Sequence, residues 1–246
     1  MSRLPRGIAS DLQVGRVVGL WRYPVKSMAA EELATAEVGW FGLAGDRRWA
    51  FVRDGVVNSG FPWLTLRERG DMGHYRPSFV DPAQPNKSAV VVHTPAGAVL
   101  DVTDPALATE LGHGARVLKN DRGIFDTFPL ALISTQTIAR LGEMVGGELE
   151  RARFRPNLLV EATDPAAFPE DAWEGSVLRI GGVRMRVDKR DIRCAIITID
   201  PVTTERCPEI LRTVVQERQG GLGVYGTTVE PGTIALGDAV IVDSAA

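Results

Sequence analysis

The feature that most constrains this chain is its repeated return to short apolar runs, each cut off by glycine, proline or an Asp-Gly pair. Alternation at period two places apolar side chains on one face, so such a run predicts a half-buried strand. The pattern predicts strands over Val14–Leu20, Leu33–Val38, Trp49–Val52 and Leu158–Glu161, and a hairpin of Val177–Ile180 with Val183–Val187 about Gly181-Gly182. Ala89–His93 and Ala98–Val102 predict a second hairpin, Thr233–Val242 two short strands about Gly237-Asp238, and Asp54-Gly55 a tight turn. Ala195–Ile199 reads as a fully buried strand. Helical spacing is confined to three stretches, 105–111, 135–144 and 209–219, with Ser134 as N-cap of the second and Gly146-Gly147 as its stop. A doubly wound parallel sheet would need regular strand–helix alternation, and there is none. The expected class is therefore mainly β with scattered helices (α+β), built on a barrel or sandwich core.

Composition narrows the function classes. At 246 residues and 44% hydrophobic, the chain can fill a large core as one domain or two intimate subdomains. A formal net charge of −3 gives no support for a nucleic-acid partner. The N-terminus carries no apolar run that could serve as a signal peptide, and no stretch approaches the ~20 apolar residues of a membrane-spanning helix. Two cysteines, Cys194 and Cys207, make no disulfide framework. The reading is a soluble, cytoplasmic protein with reduced thiols and no membrane partner. Residues 1–12 read as a flexible tail, and Arg76–Lys87, with three prolines, as an exposed loop.

Several motif matches fail on context. Gly221-Leu-Gly-Val-Tyr-Gly226 fits the dinucleotide-loop letters, but those glycines must follow a strand and open a helix, and here they follow a helix. The three histidines lie far apart, and Cys194 and Cys207 lack the spacing of a zinc pair.

What carries chemistry is Lys189-Arg-Asp-Ile-Arg-Cys194. The stretch Arg184–Arg193 holds five basic and two acidic residues, a local basic patch beside a cysteine. Basic neighbours stabilise a thiolate, the species that binds a soft metal or attacks an electrophile. From these residues alone, a buried inert cysteine at a strand entrance is the favoured reading, because a free cysteine is often just a small hydrophobe.

The residues that shift this balance are spread along the chain. Tyr23-Pro-Val-Lys-Ser27 follows the first strand; Gly45-Asp-Arg47 with Trp49 closes the next turn; Arg153-Phe-Arg-Pro-Asn157 precedes Leu158. Arg193-Cys194 stands ahead of Thr198-Ile-Asp-Pro201, and Tyr225, Pro231-Gly-Thr-Ile234 and Gly237-Asp238 end the series. In this order they resemble the MOSC family in its long form, similar to the mitochondrial amidoxime reducing component and its bacterial relatives. The resemblance implies an N-terminal β-rich subdomain over 13–115 and a β-barrel MOSC domain over 116–244. It implies a molybdenum–molybdopterin cofactor (Moco), with Cys194 as metal ligand and catalytic centre. Lys26, Ser27, Arg47, Arg155 and Asn157 match cofactor-contacting positions, Arg193 and Tyr225 match positions near the pocket, and Ser134 and Thr135 match a further polar contact more loosely. The family is also linked to pyridoxal phosphate, for which the sequence offers no separate basis.

Two positions depart from the family's common Cys-x-Arg-Cys: Asp191 stands at the first cysteine and Ile192 at a usually small polar residue. The expectation is an oxidoreductase that reduces N-hydroxylated or related N–O small molecules. Its electrons would come from a separate ferredoxin- or cytochrome-like protein and its reductase. The alternative is a non-catalytic cofactor carrier or sulfur-transfer protein with a persulfide on Cys194.

Overall fold

The computed structural model describes residues 11–56 and 59–243. In chain order the strands begin with β1 (Leu12–Arg22), β2 (Glu31–Glu32), β3 (Thr35–Gly39), β4 (Gly42–Leu43) and β5 (Trp49–Val52). Next come β6 (Arg76–Phe79), β7 (Val90–His93), β8 (Val99–Asp101), helix α1 (Pro105–Leu111), β9 (Arg116–Lys119) and β10 (Leu130–Ser134). The C-terminal half runs through α2 (Thr135–Val145), β11 (Leu158–Ala162), β12 (Val177–Ile180), β13 (Val183–Ile192), α3 (Pro208–Arg218), β14 (Gly221–Glu230), β15 (Gly232–Ala235) and β16 (Ala239–Val242).

Seven of these strands close into a barrel in the order β11-β10-β14-β13-β12-β16-β1, with β1 pairing back onto β11. The barrel is mixed: β10 and β11 run parallel, joined through α2, and the other neighbours are antiparallel. The inward residues of each strand, such as Val17, Leu132, Val160, Leu178, Met185, Val224 and Val240, form one buried core. A second core gathers Phe51, Leu64, Met72, Val90, Val92 and Leu107 from the β5–β8 region and α1. A third, with Trp21, Leu141, Phe154, Ile197 and Val214, seats α2 and α3 against the barrel wall. The mainly β, barrel-based class is therefore present. No helix among the described residues is long and apolar enough to cross a membrane.

Local chemistry accounts for most of the elements. Ser134 caps α2, its hydroxyl accepting from Thr137 N, and Gly146 ends the helix at φ 79°. Asp104 caps α1 in the same way and Pro105 opens it. The two predicted hairpins form as β7–β8 and β12–β13.

Four expectations need correction. Leu12 already belongs to β1, so the tail cannot reach residue 12; residues 1–10 lie outside the described residues. The Arg76–Lys87 loop opens with a strand, since Arg76–Phe79 pairs with β7. The hairpin expected about Asp54-Gly55 forms only in part: the chain turns there and returns onto β5 through a single antiparallel bridge, Val52 to Trp63, while the ladder partner of β5 is β9. The predicted strand Ala195–Ile199 is instead a 3-10 turn over Ala195–Thr198. Its apolar run is buried because Ile197 enters the third core and Ile199 the second, and a short apolar run cannot by itself distinguish strand from helix.

Gly221, Gly223 and Gly226 lie inside β14 and form no phosphate loop. Gly223 has φ 72°, and a Cβ there would stand 2.8 Å from Leu132 O, so the position requires glycine for backbone reasons alone.

Candidate functional site

Cys194, Lys26, Ser27, Arg47, Arg155, Asn157, Arg193 and Tyr225 all line one pocket. Segments from across the chain meet there, β14 with Tyr225 among them. The turn after β1 brings Lys26 and Ser27, held by Lys26 N donating to Trp49 O at 2.8 Å. The glycine-rich turn before β5 brings Arg47, its N–H donating to Tyr23 O at 2.6 Å. The end of the 3-10 turn Arg151–Phe154 brings Arg155, and the end of β13 brings Arg193 and Cys194. Ser27, Arg47 and Arg155 all have positive φ (67°, 49° and 50°) without being glycine. Such conformations cost of order 1–3 kcal/mol each and survive only where surrounding structure over-determines them. Three of them on one pocket mark a site built at the expense of local comfort.

Beneath the pocket floor, Asp46 is buried and acts as the anchor. It accepts from Tyr23 N at 2.7 Å, from Asn157 Nδ2 at 3.2 Å, and from Arg47 Nη1 in an ion pair. Asn157 is fully buried, and its amide is saturated. It donates to Trp21 O (3.1 Å) and Asp46, and accepts from Ala131 N (3.2 Å) and Arg47 Nη1 (3.3 Å). An Asn side chain has two donors and two lone pairs, so none is left over for a ligand. Asn157 therefore lines the pocket as the brace of Arg47. The guanidinium carbons of Arg47 and Arg155 lie 4.4 and 4.3 Å from the centroid of the Tyr23 ring.

The cationic excess is large. Lys26, Arg47, Arg67, Arg153, Arg155 and Arg193 line the pocket against Asp126 and Asp191, six positive groups to two negative. Burial lowers the Arg155 pKa to about 10, with the like charge of Arg47 adding to the effect, and its Nη2 is buried without a hydrogen-bond partner. Burial also lowers the Lys26 pKa, against the opposing charge of Asp126, to which Nζ donates. A buried guanidinium with an unmet N–H among like charges wants an anion.

The Cys194 thiol is partly exposed and its sulfur accepts from Arg67 Nη2 at 3.1 Å. Tyr225, on β14, bonds to the buried Asp191; burial and that carboxylate raise its pKa. Asp191 in turn pairs with Arg193 Nη1 at 2.8 Å, and burial raises its pKa against the pull of Arg193. Arg193 is a strut: its Nε donates to Leu222 O (2.7 Å) and its Nη1 to Phe154 O (2.8 Å).

Ser134 and Thr135 do not join the cluster. Ser134 is fully buried and donates to Glu170 Oε2 at 2.6 Å, with Thr137 beside it at 2.8 Å from the same carboxylate oxygen. Thr135 faces a different groove, between α2 and the segment 147–151. The basic patch expected over 184–193 also disperses, because β13 alternates its side chains. Arg184 pairs with Asp243, Arg186 with Asp188 and Arg190 with Asp171, leaving Arg193 alone of the five basic residues on the pocket. The positive charge comes instead from Lys26, Arg47, Arg67, Arg153 and Arg155. Ile192, 63% exposed, forms an apolar lip on the rim.

Sequence reasoning missed Arg67, Asp126 and Asp46 as functional groups. Asp46 stood inside a quoted motif; Arg67 and Asp126 stand in no recognisable pattern.

The MOSC domain family model matches residues 118–241 and the MOSC N-terminal beta barrel domain model matches residues 14–121. The mitochondrial amidoxime-reducing component 1 of Homo sapiens is 25% identical over 288 aligned positions, covering 93% of this chain and 83% of that protein. A molybdenum cofactor sulfurase of Drosophila erecta is 33% identical over 102 positions, covering 37% of this chain and 12% of its own length. The crystal structure of the YUAD protein from Bacillus subtilis superposes with a TM-score of 0.51 at 12% identity, covering 93% and 95% of the two chains, a likeness of fold. By these matches the chain belongs to the MOSC family, with the MOSC domain and its N-terminal β-barrel companion both present.

Proposed function

We propose that this chain binds a molybdenum–molybdopterin cofactor and works as an oxidoreductase on N-hydroxylated or related N–O compounds. The observation that carries the reading is one pocket in which a partly exposed thiol, Cys194, faces a cationic cradle containing the unpartnered Nη2 of Arg155. The donor set fits the group. A thiolate suits molybdenum among soft-ligand metals, and a phosphate-bearing pterin supplies the anion that Arg155, alone of the three cations Lys26, Arg47 and Arg155, lacks. When bound, the cofactor supplies two-electron redox chemistry.

The chain's own residues do the rest. Lys26 and Arg155 attract and orient the anionic end, and Arg47, fixed by Asp46 and Asn157, presents its charge with little freedom left to lose. The Tyr225–Asp191–Arg193 chain lies at the same pocket and can hold a proton close to the substrate. Overall, reduction of an N–OH group consumes two electrons and two protons, breaks the N–O bond and releases water. The electrons are taken to come from a separate ferredoxin- or cytochrome-like partner, and a reducing cytoplasm suits the free thiols Cys194 and Cys207.

A second reading has its own support. The partly exposed, hydrogen-bonded sulfur of Cys194 and the match to a cofactor sulfurase suit a carrier or sulfur-transfer protein in which the Cys194 thiol takes the outer sulfur of a donor persulfide, the donor leaving as its thiol.

The test is metal analysis of protein purified from a cofactor-making host, with pterin fluorescence after oxidation, for wild type and Cys194→Ala. Near-stoichiometric molybdenum and pterin in wild type, with metal lost in the variant, supports the site. Reduction of a benzamidoxime by loaded protein with a viologen donor then supports the reductase, whereas a trapped persulfide absent from Cys194→Ser supports the carrier. Wild type without molybdenum or pterin sinks both.

A further inference from the structure

Arg67 comes from far along the chain, in the segment between β5 and β6, yet its Nη2 lies 3.1 Å from the Cys194 sulfur. The backbone around it is fixed at several points. Leu64 N donates to Phe51 O (2.7 Å), and Val52 bridges to Trp63. The buried Thr65 donates to Glu68 Oε2 through both its backbone N–H (3.0 Å) and its hydroxyl (2.7 Å), and its hydroxyl oxygen accepts from Arg67 N (3.2 Å), which sets the turn. Arg206, from the C-terminal half, clamps the turn by donating to Arg67 O at 3.0 Å.

The side chain is held too. Asp126 accepts from the same Nη2 at 3.4 Å and also from Lys26 Nζ, and the guanidinium carbon stands 4.9 Å from the Phe61 ring centroid. A flexible arginine held on two sides and aimed at one sulfur is pre-organised. A partly buried N–H···S contact constrains the sulfur's rotamer and withdraws electron density from it.

We infer that Arg67 is a positioning residue for the Cys194 sulfur, presenting it to the metal and tuning the metal's reduction potential through an N–H···S bond. The inference rests on the cofactor reading above. Its chemistry is specific: a guanidinium offers a directed donor pair that can serve sulfur and Asp126 together, whereas the lysine ammonium is a shorter-reaching point charge. The family matches do not assign this role, and no pattern in the sequence marks the residue.

The experiment compares wild type, Arg67→Lys, Arg67→Gln and Arg67→Ala, all purified from a cofactor-making host. It measures molybdenum per chain and the midpoint potential of the metal by mediated titration, read by paramagnetic resonance. Arg67 is partly exposed, so the glutamine variant is expected to fold, and circular dichroism with thermal melting checks this. The expected result is a metal affinity lowered about tenfold or more in Arg67→Ala, the usual size of an outer-shell effect. Its potential moves to a more negative value, and Arg67→Lys recovers part of both losses. Arg67→Ala with wild-type metal content and wild-type potential overturns the role while leaving the cofactor reading intact. Wild type without molybdenum overturns the cofactor reading and this inference with it.

Discussion

Asp46→Ala is the perturbation whose size the structure fixes best. The Asp46 side chain is fully buried and serves three donors: the Arg47 guanidinium, Tyr23 N at 2.7 Å and Asn157 Nδ2 at 3.2 Å. Removing it leaves the Arg47 charge, itself only 13% exposed, without its carboxylate. Breaking a buried pair by deleting one partner costs about 3–5 kcal/mol, because the survivor stays desolvated. The two neutral donors add at least ~1 kcal/mol between them after relaxation. The expected loss is about 4–6 kcal/mol, a large share of the 5–15 kcal/mol that holds an ordinary domain together. Urea unfolding followed by fluorescence and circular dichroism at neutral pH measures it, with coincident transitions as the check on two-state analysis. Since the pair is buried, the loss should persist in high salt, where an exposed ion pair would be screened. A loss below about 1.5 kcal/mol, or one that vanishes in salt, would refute the view of Asp46 as the keystone under Arg47.

Three further outcomes are expected. Ser134→Ala removes the α2 cap and one Glu170 partner, so it should cost about 1–2 kcal/mol in urea while leaving molybdenum content unchanged; loss of metal would put Ser134 back in the site. Burial alone would raise the Asp126 pKa, but Lys26 and then Arg67 hold it below the ordinary carboxylate range. Its stabilisation is therefore present above the unfolded value of about 4 and lost as pH falls through the depressed folded value. Asp126→Asn should accordingly flatten the acid limb of the stability curve below about pH 4; an unchanged acid limb would contradict the assignment. Ile192→Ser alters an exposed rim side chain and should change unfolding free energy by less than about 0.5 kcal/mol, so any effect on substrate KM reports on the pocket mouth.

The barrel was legible because period-two alternation is a local property: Val177–Ile180 and Val183–Ile192 carry their pairing in their own side chains and in the glycines between them. The same locality misled at Ala195–Thr198. Its burial is decided by two cores built from distant residues, and three apolar residues in a row do not reveal which backbone will bury them. The site was half legible. Lys26, Arg47, Arg155 and Cys194 sit in motifs that resemblance picks out. Asn157 sits in one too, yet only the fold reveals that its amide is spent on Trp21, Asp46, Ala131 and Arg47. Arg67 was illegible, because nothing in Leu64-Thr-Leu-Arg-Glu68 signals that Arg206 and Phe61 will aim it at a sulfur on another segment.

The pairing of β1 with β16, Leu12 against Val242, has a consequence for how the protein is made. The barrel's seam is stitched from the first and last of the described strands. The N-terminal strand must wait, with its apolar face unsheltered, through the synthesis of some two hundred residues before its partner exists. Closure is thus a contact of nearly maximal sequence separation, the kind that slows folding most. Once Leu158–Ala162 has been made, β11 can cover one edge of β1, which makes the interval before it emerges the period of greatest exposure to aggregation or to chaperone capture.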